Sequence, residues 1–291
     1  MPRIMLATGG EFPELSPSDQ RYAEALRVLG ATVAAAPWTA GLAPFAGADL
    51  VVIRSCWDYH RSLAAYRAWL DGLEAAGIAV ANPPALIRWN LEKTYLDELA
   101  AAGVPVPRQF AIDRNPDALR AVFSATGWAE AVVKPAAGAS GHGVSLATPA
   151  SLDRLWPEIA AAAAPHRLLV QEFVPAVRES GQASFVFLGG RYSHAMRFHP
   201  SGGDFRINAR FAPRLSVVDP PPAEIAAAAR VLAALPLAPL YARIDMVGEG
   251  GTMVLLEVEV NEPGLLFQHV PEGAPRFAEA TMAWLGRGGA T

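Results

Sequence analysis

Acidic and amide side chains alternate with apolar residues near the C-terminal end of the sequence. Glu257, Glu259 and Asn261 take every second position, and the residues between them are valines. A period of two is typical of a strand and places the three side chains on one face. Oxygen ligands of this kind suit Mg²⁺, which binds carboxylates together with substrate phosphate. Arg243 and Asp245, on a similar apolar strand, favour this interpretation over the alternative, a solvated face of an edge strand.

A glycine-rich segment follows a short apolar strand in the middle of the chain. The strand ends in Lys134, and the next residues include Ser140 and three glycines, Gly138, Gly141 and Gly143. Glycines let backbone N–H groups approach an anion, and a lysine supplies a point charge to phosphate oxygens. Because the lysine precedes the glycines and their spacing is Gly-x-x-Gly-x-Gly, the segment matches neither a Walker motif nor a Rossmann fingerprint. It predicts a phosphate-binding loop, with a plain hairpin turn as the alternative.

A third polar cluster follows an apolar strand in the first part of the chain. After this strand come Arg54, Trp57, Asp58 and Tyr59, which together offer charge recognition and aromatic walls. We interpret this segment as a substrate-binding loop. The alternative is a structural loop in which Trp57 fills the core and Arg54 pairs with Asp58. Cys56 is expected to be a small buried residue and not a nucleophile.

The elements around this loop alternate between strands and helices across residues 1–85. Strands are predicted at 4–7, 32–36, 50–54 and 78–81, and helices at 18–29 and 63–76, with Ser18 and Gly30 as caps. Such alternation predicts a small, doubly wound parallel sheet, in which ligands bind beyond the carboxyl ends of the strands. Prolines on either side bracket a connecting stretch at 86–104, with Lys93 in the first turn of a helix over 91–102.

Composition limits the classes of function. The chain has 291 residues, of which 52% are hydrophobic and 18% are charged, so it can form two or three subdomains with a large core. A net charge of −4 argues against nucleic acid as the main partner. A single cysteine excludes an internal disulfide framework and a cysteine-rich zinc site. The chain starts without the apolar region of a signal peptide and has no apolar run of ~18 residues, so we expect a cytoplasmic location and no membrane partner.

The lysine, glycine-rich and acidic motifs described above are accompanied by three further motifs in a fixed order. Together they make about residues 90–265 resemble the ATP-grasp family. The branch it resembles contains glutathione synthetases and ribosomal-protein-S6-modification enzymes. The element Trp57-Asp58-Tyr59 looks like that of the subgroup with the D-cycloserine ring-closing ligase. The resemblance implies an α/β fold that is α+β in its ATP-grasp part. The other matching motifs are Asn90-Leu-Glu-Lys93, Gln171-Glu172-Phe173-Val174-Pro and Gly203-Asp-Phe-Arg206-Ile-Asn208.

The resemblance divides the chain into four parts and places ATP between the last two. The parts are an N-terminal domain on the substrate side (1–85), a connecting helix (86–104), a central subdomain (105–172) and a C-terminal subdomain (173–291).

The resemblance also implies how the nucleotide is held. The Glu172 carbonyl would accept from the adenine amino group, the Val174 N–H would donate to the ring, and Phe173 would pack beside it. Either Glu179 or Gln182 would contact the ribose. The remaining nucleotide contacts are Lys93, Lys134 and the glycine-rich loop.

Metal ions and arginines are assigned by the same resemblance. Asp245, Glu259 and Asn261 would hold two Mg²⁺ ions, or Mn²⁺ in their place. Glu257 either shares their face or pairs with a lysine or arginine near the nucleotide. Arg243 would stabilise a tetrahedral oxyanion. The arginines that match positions contacting phosphates or an acyl phosphate are Arg197 and Arg206.

The implied activity is ligation of a carboxylate to an amine through an acyl phosphate, with release of ADP and phosphate. The substrate would be a small amino acid or a derivative of one. The sequence does not decide whether the protein forms a homodimer. The segment Ala209-Arg210-Phe211 replaces a double glycine of glutathione synthetases, which argues against glutathione chemistry and makes Arg210 a candidate contact for a substrate carboxylate. Glu262 is expected to be exposed. Two alternatives on the same fold are a phosphotransferase with a stable phosphorylated product and a nucleotide-binding protein without turnover.

Overall fold

The fold, given by a computed structural model that describes residues 1–202, 204–207 and 211–286, contains three sheets. The first is parallel, with the strand order β2-β1-β3-β4, and helices α1 and α2 cover it. Its elements are β1 (Arg3–Thr8), α1 (Pro17–Val28), β2 (Thr32–Pro37), β3 (Leu50–Ile53), α2 (Leu63–Ala75) and β4 (Val80–Ala81). Ser16, and not Ser18, caps α1 by accepting from the Asp19 N–H, and Gly30 follows the helix with a φ of +86°.

The connection to the second sheet contains two short helices instead of the single helix predicted over 91–102. They are α3 (Pro84–Asn90) and α4 (Tyr95–Ala101). The turn between them carries Lys93, whose backbone N–H donates to the Ala136 carbonyl at 2.8 Å. This bond to a neighbouring segment takes the Lys93 N–H out of the helical ladder, so Lys93 precedes α4 and does not lie in its first turn.

The second sheet is antiparallel, in the order β5-β8-β6-β7. The glycine-rich segment joins β6 to β7, which pair as a hairpin, so the loop and hairpin interpretations describe the same segment. The elements are β5 (Gln109–Ile112), α5 (Pro116–Thr126), β6 (Ala131–Pro135), β7 (Ser145–Ala147), α6 (Leu152–Ala163) and β8 (Leu168–Glu172).

The third sheet is also antiparallel, in the order β11-β10-β9-β12-β13. Gly189 and Gly190 turn the chain between β9 and β10 with φ angles of +59° and +79°, which suit a two-residue hairpin turn. The elements are α7 (Ala176–Glu179), β9 (Gln182–Leu188), β10 (Arg191–His199), β11 (Arg214–Val218), α8 (Pro222–Ala233), β12 (Tyr241–Val247), β13 (Val254–Glu259) and α9 (Gly273–Gly286).

Buried contacts join the first sheet to the third. The rings of Tyr22 on α1 and Phe277 on α9 stack with centroids 4.0 Å apart. Asn82, after β4, donates to the carbonyls of Tyr241 at 2.8 Å and Val260 at 2.7 Å. These contacts hold the first sheet and its helix α1 against α9, β12 and the residue that follows β13. The α/β fold is therefore as expected, and no described helix has the length and apolar character needed to span a bilayer.

Candidate active site

A cavity of about 790 Å³ opens among the three sheets. Its walls come from the loops after β1 and β3, the glycine-rich loop, the end of β8, residues 205–207, and strands β12 and β13. The three polar clusters found in the sequence therefore face one space, although up to about 200 residues of chain separate them.

Three carboxylates meet on one wall of this cavity. In the register of β12 and β13, Asp245 lies opposite Glu257, and Arg243 lies opposite Glu259. One carboxylate oxygen from each of Asp245, Glu257 and Glu259 lies within 4.8 Å of the others. Burial raises the pKa of Glu259 well above its ordinary value, and the Asp245 carboxylate adds to this against the opposing effect of Arg243. A group of anions this close is suited to a divalent cation.

Two cations pair with these carboxylates. Arg243 donates from Nε and Nη2 to the two oxygens of Asp245, each at 2.9 Å, and also from Nη2 to Glu259. The Lys93 Nζ lies 2.7 Å from Glu257 Oε1. Burial favours the neutral form of Lys93, but the Glu257 carboxylate outweighs it and raises the lysine pKa. Glu257 thus does both things that the sequence left open, since it joins the acidic face and pairs with a lysine.

Asn261 takes a different position from the acidic residues that precede it. Strand β13 ends at Glu259, so the alternation of faces does not extend to Asn261. Its side-chain oxygen accepts from the Tyr66 hydroxyl at 2.7 Å, and its Nδ2 is buried without a partner in the described part of the chain. The group that the structure brings together is accordingly Asp245, Glu257 and Glu259, whereas Asn261 faces α2.

The two lysines reach the cavity from different elements. Lys93 donates from Nζ to the Gly138 carbonyl at 2.9 Å, and Lys134 donates from Nζ to Gln171 Oε1 at 3.1 Å. Burial lowers the pKa of Lys134 to about 8, and Lys93 acts in the same direction. Ser140 and Gly141 also line the cavity. Gly143 does not; a Cβ there would lie 2.9 Å from the Pro135 ring, so close packing requires this glycine.

The end of β8 and the segment 205–207 form the opposite wall. Phe173 is buried there, and its ring meets that of Phe205 edge to face with centroids 6.0 Å apart. Arg206 donates from Nη1 to the Val144 carbonyl at 3.1 Å, so this segment contacts the glycine-rich loop. Glu172 and Val174 line the cavity beside Phe173.

Of the two candidates for a ribose contact, one faces the cavity. Gln182 is a buried lining residue whose Nε2 donates to Ser184 Oγ at 3.2 Å. Glu179 lies on α7, is exposed, and is not part of the cavity wall in the described residues. Arg197 is also directed elsewhere. It donates to the Ser180 carbonyl at 3.1 Å and to the buried Glu224 at 3.3 Å, and the structure does not bring it to the described cavity wall.

The substrate-side cluster pairs differently from the interpretation of an Arg54–Asp58 pair. Arg54 is 1% exposed and donates from Nε to Asp19 Oδ1 at 2.8 Å. Its Nη2 donates to the Pro263 carbonyl at 2.8 Å, while its Nη1 is buried without a partner among the residues described. Asp58 instead accepts from the Trp38 indole at 2.8 Å and from the Gly10 N–H at 2.9 Å.

Aromatic residues of this cluster divide between cavity and core. Trp57 lines the cavity and donates from its indole to the Glu262 carbonyl at 2.9 Å. Tyr59 is buried beside Tyr66 and does not belong to the described cavity wall, and Cys56 is buried as expected.

Several residues at the site were missed or misplaced by the sequence interpretation. Glu262 was expected to be exposed but is 8% exposed and lines the cavity, and burial raises its pKa to about 7. Asp19 and His60 also line the cavity. Asp19 carried a signal only as an acidic residue in the first turn of a helix, and His60 only as the neighbour of Tyr59. Arg210 lies outside the described residues, as do Gly203 and Asn208 of the motif that contains Arg206.

Comparison with known proteins finds matches to two family models and to several relatives. Residues 104–269 match the ATP-grasp domain of prokaryotic glutathione synthetase, and residues 4–82 match the N-terminal domain of D-cycloserine synthetase DcsG. The cycloserine biosynthesis protein DcsG of Streptomyces lavendulae is 33% identical over 279 residues, 88% of this chain and 90% of the relative. A probable alpha-L-glutamate ligase of Xanthomonas campestris pv. campestris (strain 8004) is 32% identical over 224 residues, 76% of this chain and 74% of the relative. The crystal structure of D-cycloserine synthetase DcsG is similar with a TM-score of 0.85 and 28% identity, over 97% of this chain and 99% of that chain.

Proposed function

The chain belongs to the ATP-grasp family, and we propose that its non-nucleotide substrate is a small amino acid or amino-acid derivative. As a member of that family it is an ATP-dependent ligase that joins a carboxylate to an amine, and it uses a divalent metal ion. The observation that carries the proposal is one cavity that combines a carboxylate cluster, two lysines and a buried arginine, one of whose nitrogens has no partner among the described residues.

The carboxylate cluster fits the metal requirement. Asp245, Glu257 and Glu259 offer three carboxylates, and Arg243 and Lys93 pair with them as two cations, so one carboxylate more than the paired cations is left for a metal ion to balance. Bound between this cluster and the phosphates, Mg²⁺ would neutralise charge on the phosphoryl oxygens. We propose two such ions, with Asp245 and Glu259 as ligands. The third ligand would be Glu257, or Asn261 after a rotation away from α2, and Mn²⁺ prefers the same oxygen donors.

The nucleotide would lie along the wall formed by the end of β8. The Glu172 carbonyl and the Val174 N–H supply the acceptor and donor that adenine needs, and Phe173 and Phe205 exclude water from the ring. Gln182 would contact the ribose, a role supported by its place in the cavity wall and by the exposure of Glu179.

The phosphates would meet cations from three elements. Lys134 reaches them from β6, Lys93 from the turn before α4, and Arg206 from the segment that contacts the glycine-rich loop. The backbone N–H groups of Ser140 and Gly141 would complete the anion site, since both residues line the cavity.

A carboxylate of the amino-acid substrate fits beside Arg54. The Arg54 Nη1 is a charged, buried donor that has no partner within the described ranges, and Arg54 lines the cavity. Such a donor favours an anionic partner strongly, because a charged group left unpaired in a buried place is destabilising. Trp57 would form an adjacent apolar wall, and Asp58 would hold the loop that carries Gly10.

The reaction follows from these positions. A substrate carboxylate oxygen attacks the γ-phosphorus of ATP, and the bond to the ADP oxygen breaks to give an acyl phosphate and ADP. The nitrogen nucleophile then attacks the acyl carbon, and phosphate leaves with the electrons of the C–O bond and takes up the proton that the nitrogen loses. Arg243 lies beside the carboxylate cluster and would stabilise the oxyanion of the tetrahedral intermediate. The chain contributes position and charge, and no covalent enzyme intermediate is needed.

A substrate panel tests the proposal. ADP release is measured with Mg·ATP and D- or L-amino acids, O-ureido derivatives, dipeptides and amines, and the products are identified by mass spectrometry. ADP together with a product that has lost water or gained an amide would support the ligase and name its substrate. A stable phosphorylated product would instead identify a phosphotransferase, and ATP binding without ADP release across the panel would contradict the substrate class proposed here.

A further inference from the structure

A histidine that the reaction above does not use lies in the cavity wall between the first sheet and the glycine-rich loop. His60 belongs to the helical turn Tyr59–Ser62 and lines the cavity near Trp57. Both of its ring nitrogens are screened from solvent, and neither has a hydrogen-bond partner within residues 1–202, 204–207 and 211–286. The Trp57 backbone lies near enough to affect the His60 pKa, but not in hydrogen-bond geometry. An unpaired imidazole N–H of this kind indicates a ligand group as its partner.

Contacts on its ring face and its backbone hold His60 in place. Its ring centroid lies 5.5 Å from that of His142, a cavity-lining residue of the glycine-rich loop, with 38° between the ring planes. On the other side, the His60 carbonyl lies 3.2 Å from Nε2 of His166. The ring therefore packs against the glycine-rich loop, and its nitrogens have no partner among the described residues, so a rotation of the ring about its Cβ–Cγ bond would turn one N–H to the cavity.

The surroundings of His60 favour an anion. Burial lowers its pKa to about 4, and His142, Arg61 and Lys93 all act in the same direction. The ring is therefore neutral near pH 7 and carries one N–H donor. Arg61 lines the cavity next to it. A neutral donor in an electropositive wall suits an anionic oxygen better than an ammonium group.

We propose that His60 donates a hydrogen bond to the phosphoryl group in transit from ATP to the substrate carboxylate, an inference that rests on the function proposed above. During transfer the bond from the γ-phosphorus to the ADP oxygen breaks and the bond to the carboxylate oxygen forms. His60 keeps its proton throughout. The first sheet thereby contacts the phosphoryl group from one side, and the glycine-rich loop contacts it from the other.

Orthovanadate, which mimics a phosphoryl group in transfer, tests this contact without any amino-acid substrate. Calorimetry first gives the Kd of Mg·ADP and then the Kd of vanadate for the Mg·ADP complex. In His60→Phe we expect the Kd of Mg·ADP to stay within about twofold and the Kd of vanadate to rise about 10- to 100-fold, the effect of one hydrogen bond to a charged group. The Tm of the free variant should stay equal or rise, because an unpaired buried N–H has been removed. His60→Gln, which keeps an N–H donor, should regain most of the vanadate affinity.

Several outcomes would overturn the inference. A packing role would instead lower the Tm of His60→Phe and weaken Mg·ADP and vanadate equally. Unchanged vanadate binding in His60→Phe, or a His60→Gln variant as weak as His60→Phe, would also contradict it, and so would a wild-type Mg·ADP complex that binds no vanadate. His269→Gln is the matched control, because His269 is an exposed histidine that does not belong to the described cavity wall, and it should leave vanadate binding unchanged. If the wild-type protein bound no Mg·ADP, the proposed function itself would fail.

Discussion

The Lys93 ammonium lies 2.7 Å from the Glu257 carboxylate, so a turn near the start of the ATP-grasp part is tied to its last strand. The same lysine donates to the Gly138 carbonyl in the glycine-rich loop. One side chain thus connects the carboxylate cluster to the phosphate-binding loop. Before a nucleotide binds, Lys93 neutralises part of the cluster, and a bound nucleotide would give it a second anionic partner.

Removal of this lysine should expose the charge repulsion within the cluster. We expect Lys93→Met to lower the free energy of unfolding in urea by about 1–3 kcal/mol, less than for a fully buried pair because Glu257 retains some exposure. The double variant Lys93→Met/Glu257→Gln should recover at least half of the loss, since the unpaired carboxylate is gone. The ion pair Arg67–Glu92, at 2.8 Å but more exposed, is the matched control, and Arg67→Met should cost less than about 0.5 kcal/mol. If Lys93→Met and Lys93→Met/Glu257→Gln lost the same free energy of unfolding, the repulsion argument would be contradicted.

Glu259 is expected to be essential for turnover and not for folding. Glu259→Gln keeps the size of the side chain but removes one charge from the carboxylate cluster, which should lower kcat for ADP formation about 10²- to 10³-fold. Its Tm should not fall, because the pKa of Glu259 is already raised by burial and by Asp245. The assay follows ADP release at several Mg²⁺ concentrations, and Glu158→Gln on the exposed face of α6 serves as the control. Normal turnover in Glu259→Gln would refute the metal assignment.

Local patterns in the sequence predicted most of the elements and the acidic face. The alternation of Glu257 and Glu259 predicted their shared face correctly, because the period of a strand depends only on neighbouring residues. The same rule failed for Asn261, since the strand ends at Glu259 and the backbone changes direction there. Glu262 was placed outside for a related reason: its burial depends on packing of the first sheet against the third.

Long-range pairing was the part that local patterns could not supply. The alternative interpretation of the sequence paired Arg54 with Asp58 because the two residues are close in sequence. The structure instead pairs Arg54 with Asp19. Arg197 matches the resemblance, yet its position opposite Glu224 depends on how α8 packs across the third sheet. The assigned roles of the site residues and the four-part division of the chain stay predictions.

Lys134 should give ATP binding a dependence on pH above neutrality. Its pKa is lowered to about 8 by burial, so the free protein loses this positive charge as the pH rises through 8. Phosphate favours the charged lysine and raises its pKa in the complex. Above pH 8 the association constant of Mg·ATP should therefore fall by up to tenfold per pH unit. Calorimetry between pH 7 and pH 9.5 measures this fall. Lys134→Met should bind weakly with no such slope, and a slope that persists in this variant would assign the titration to another group.

Asp58 should affect the amino-acid substrate more than ATP, through the loop that it holds. Its two carboxylate oxygens accept from the Gly10 N–H and the Trp38 indole, so Asp58 ties the loop after β1 to the segment that carries Arg54. Asp58→Ala removes both acceptors. Asp58→Asn replaces one acceptor oxygen by an NH₂ group, which would face the N–H donor of Gly10 or of the Trp38 indole. We expect both variants to raise KM for the non-nucleotide substrate about tenfold while KM for ATP changes less than threefold, a loss equal to one to two hydrogen bonds.

A matched control separates this effect from a general loss of stability. Asp49 also accepts from a backbone N–H of the first sheet, that of Arg3 at 2.7 Å, but it lies at the opposite end of β3 from the cavity. Asp49→Ala should therefore lower the Tm without changing either KM. If Asp58→Ala behaved in the same way, Asp58 would have only a structural role, and Arg54 would have to bind the substrate without help from the loop after β1. A selective rise in the substrate KM would instead show that the loop after β1 forms part of the amino-acid site.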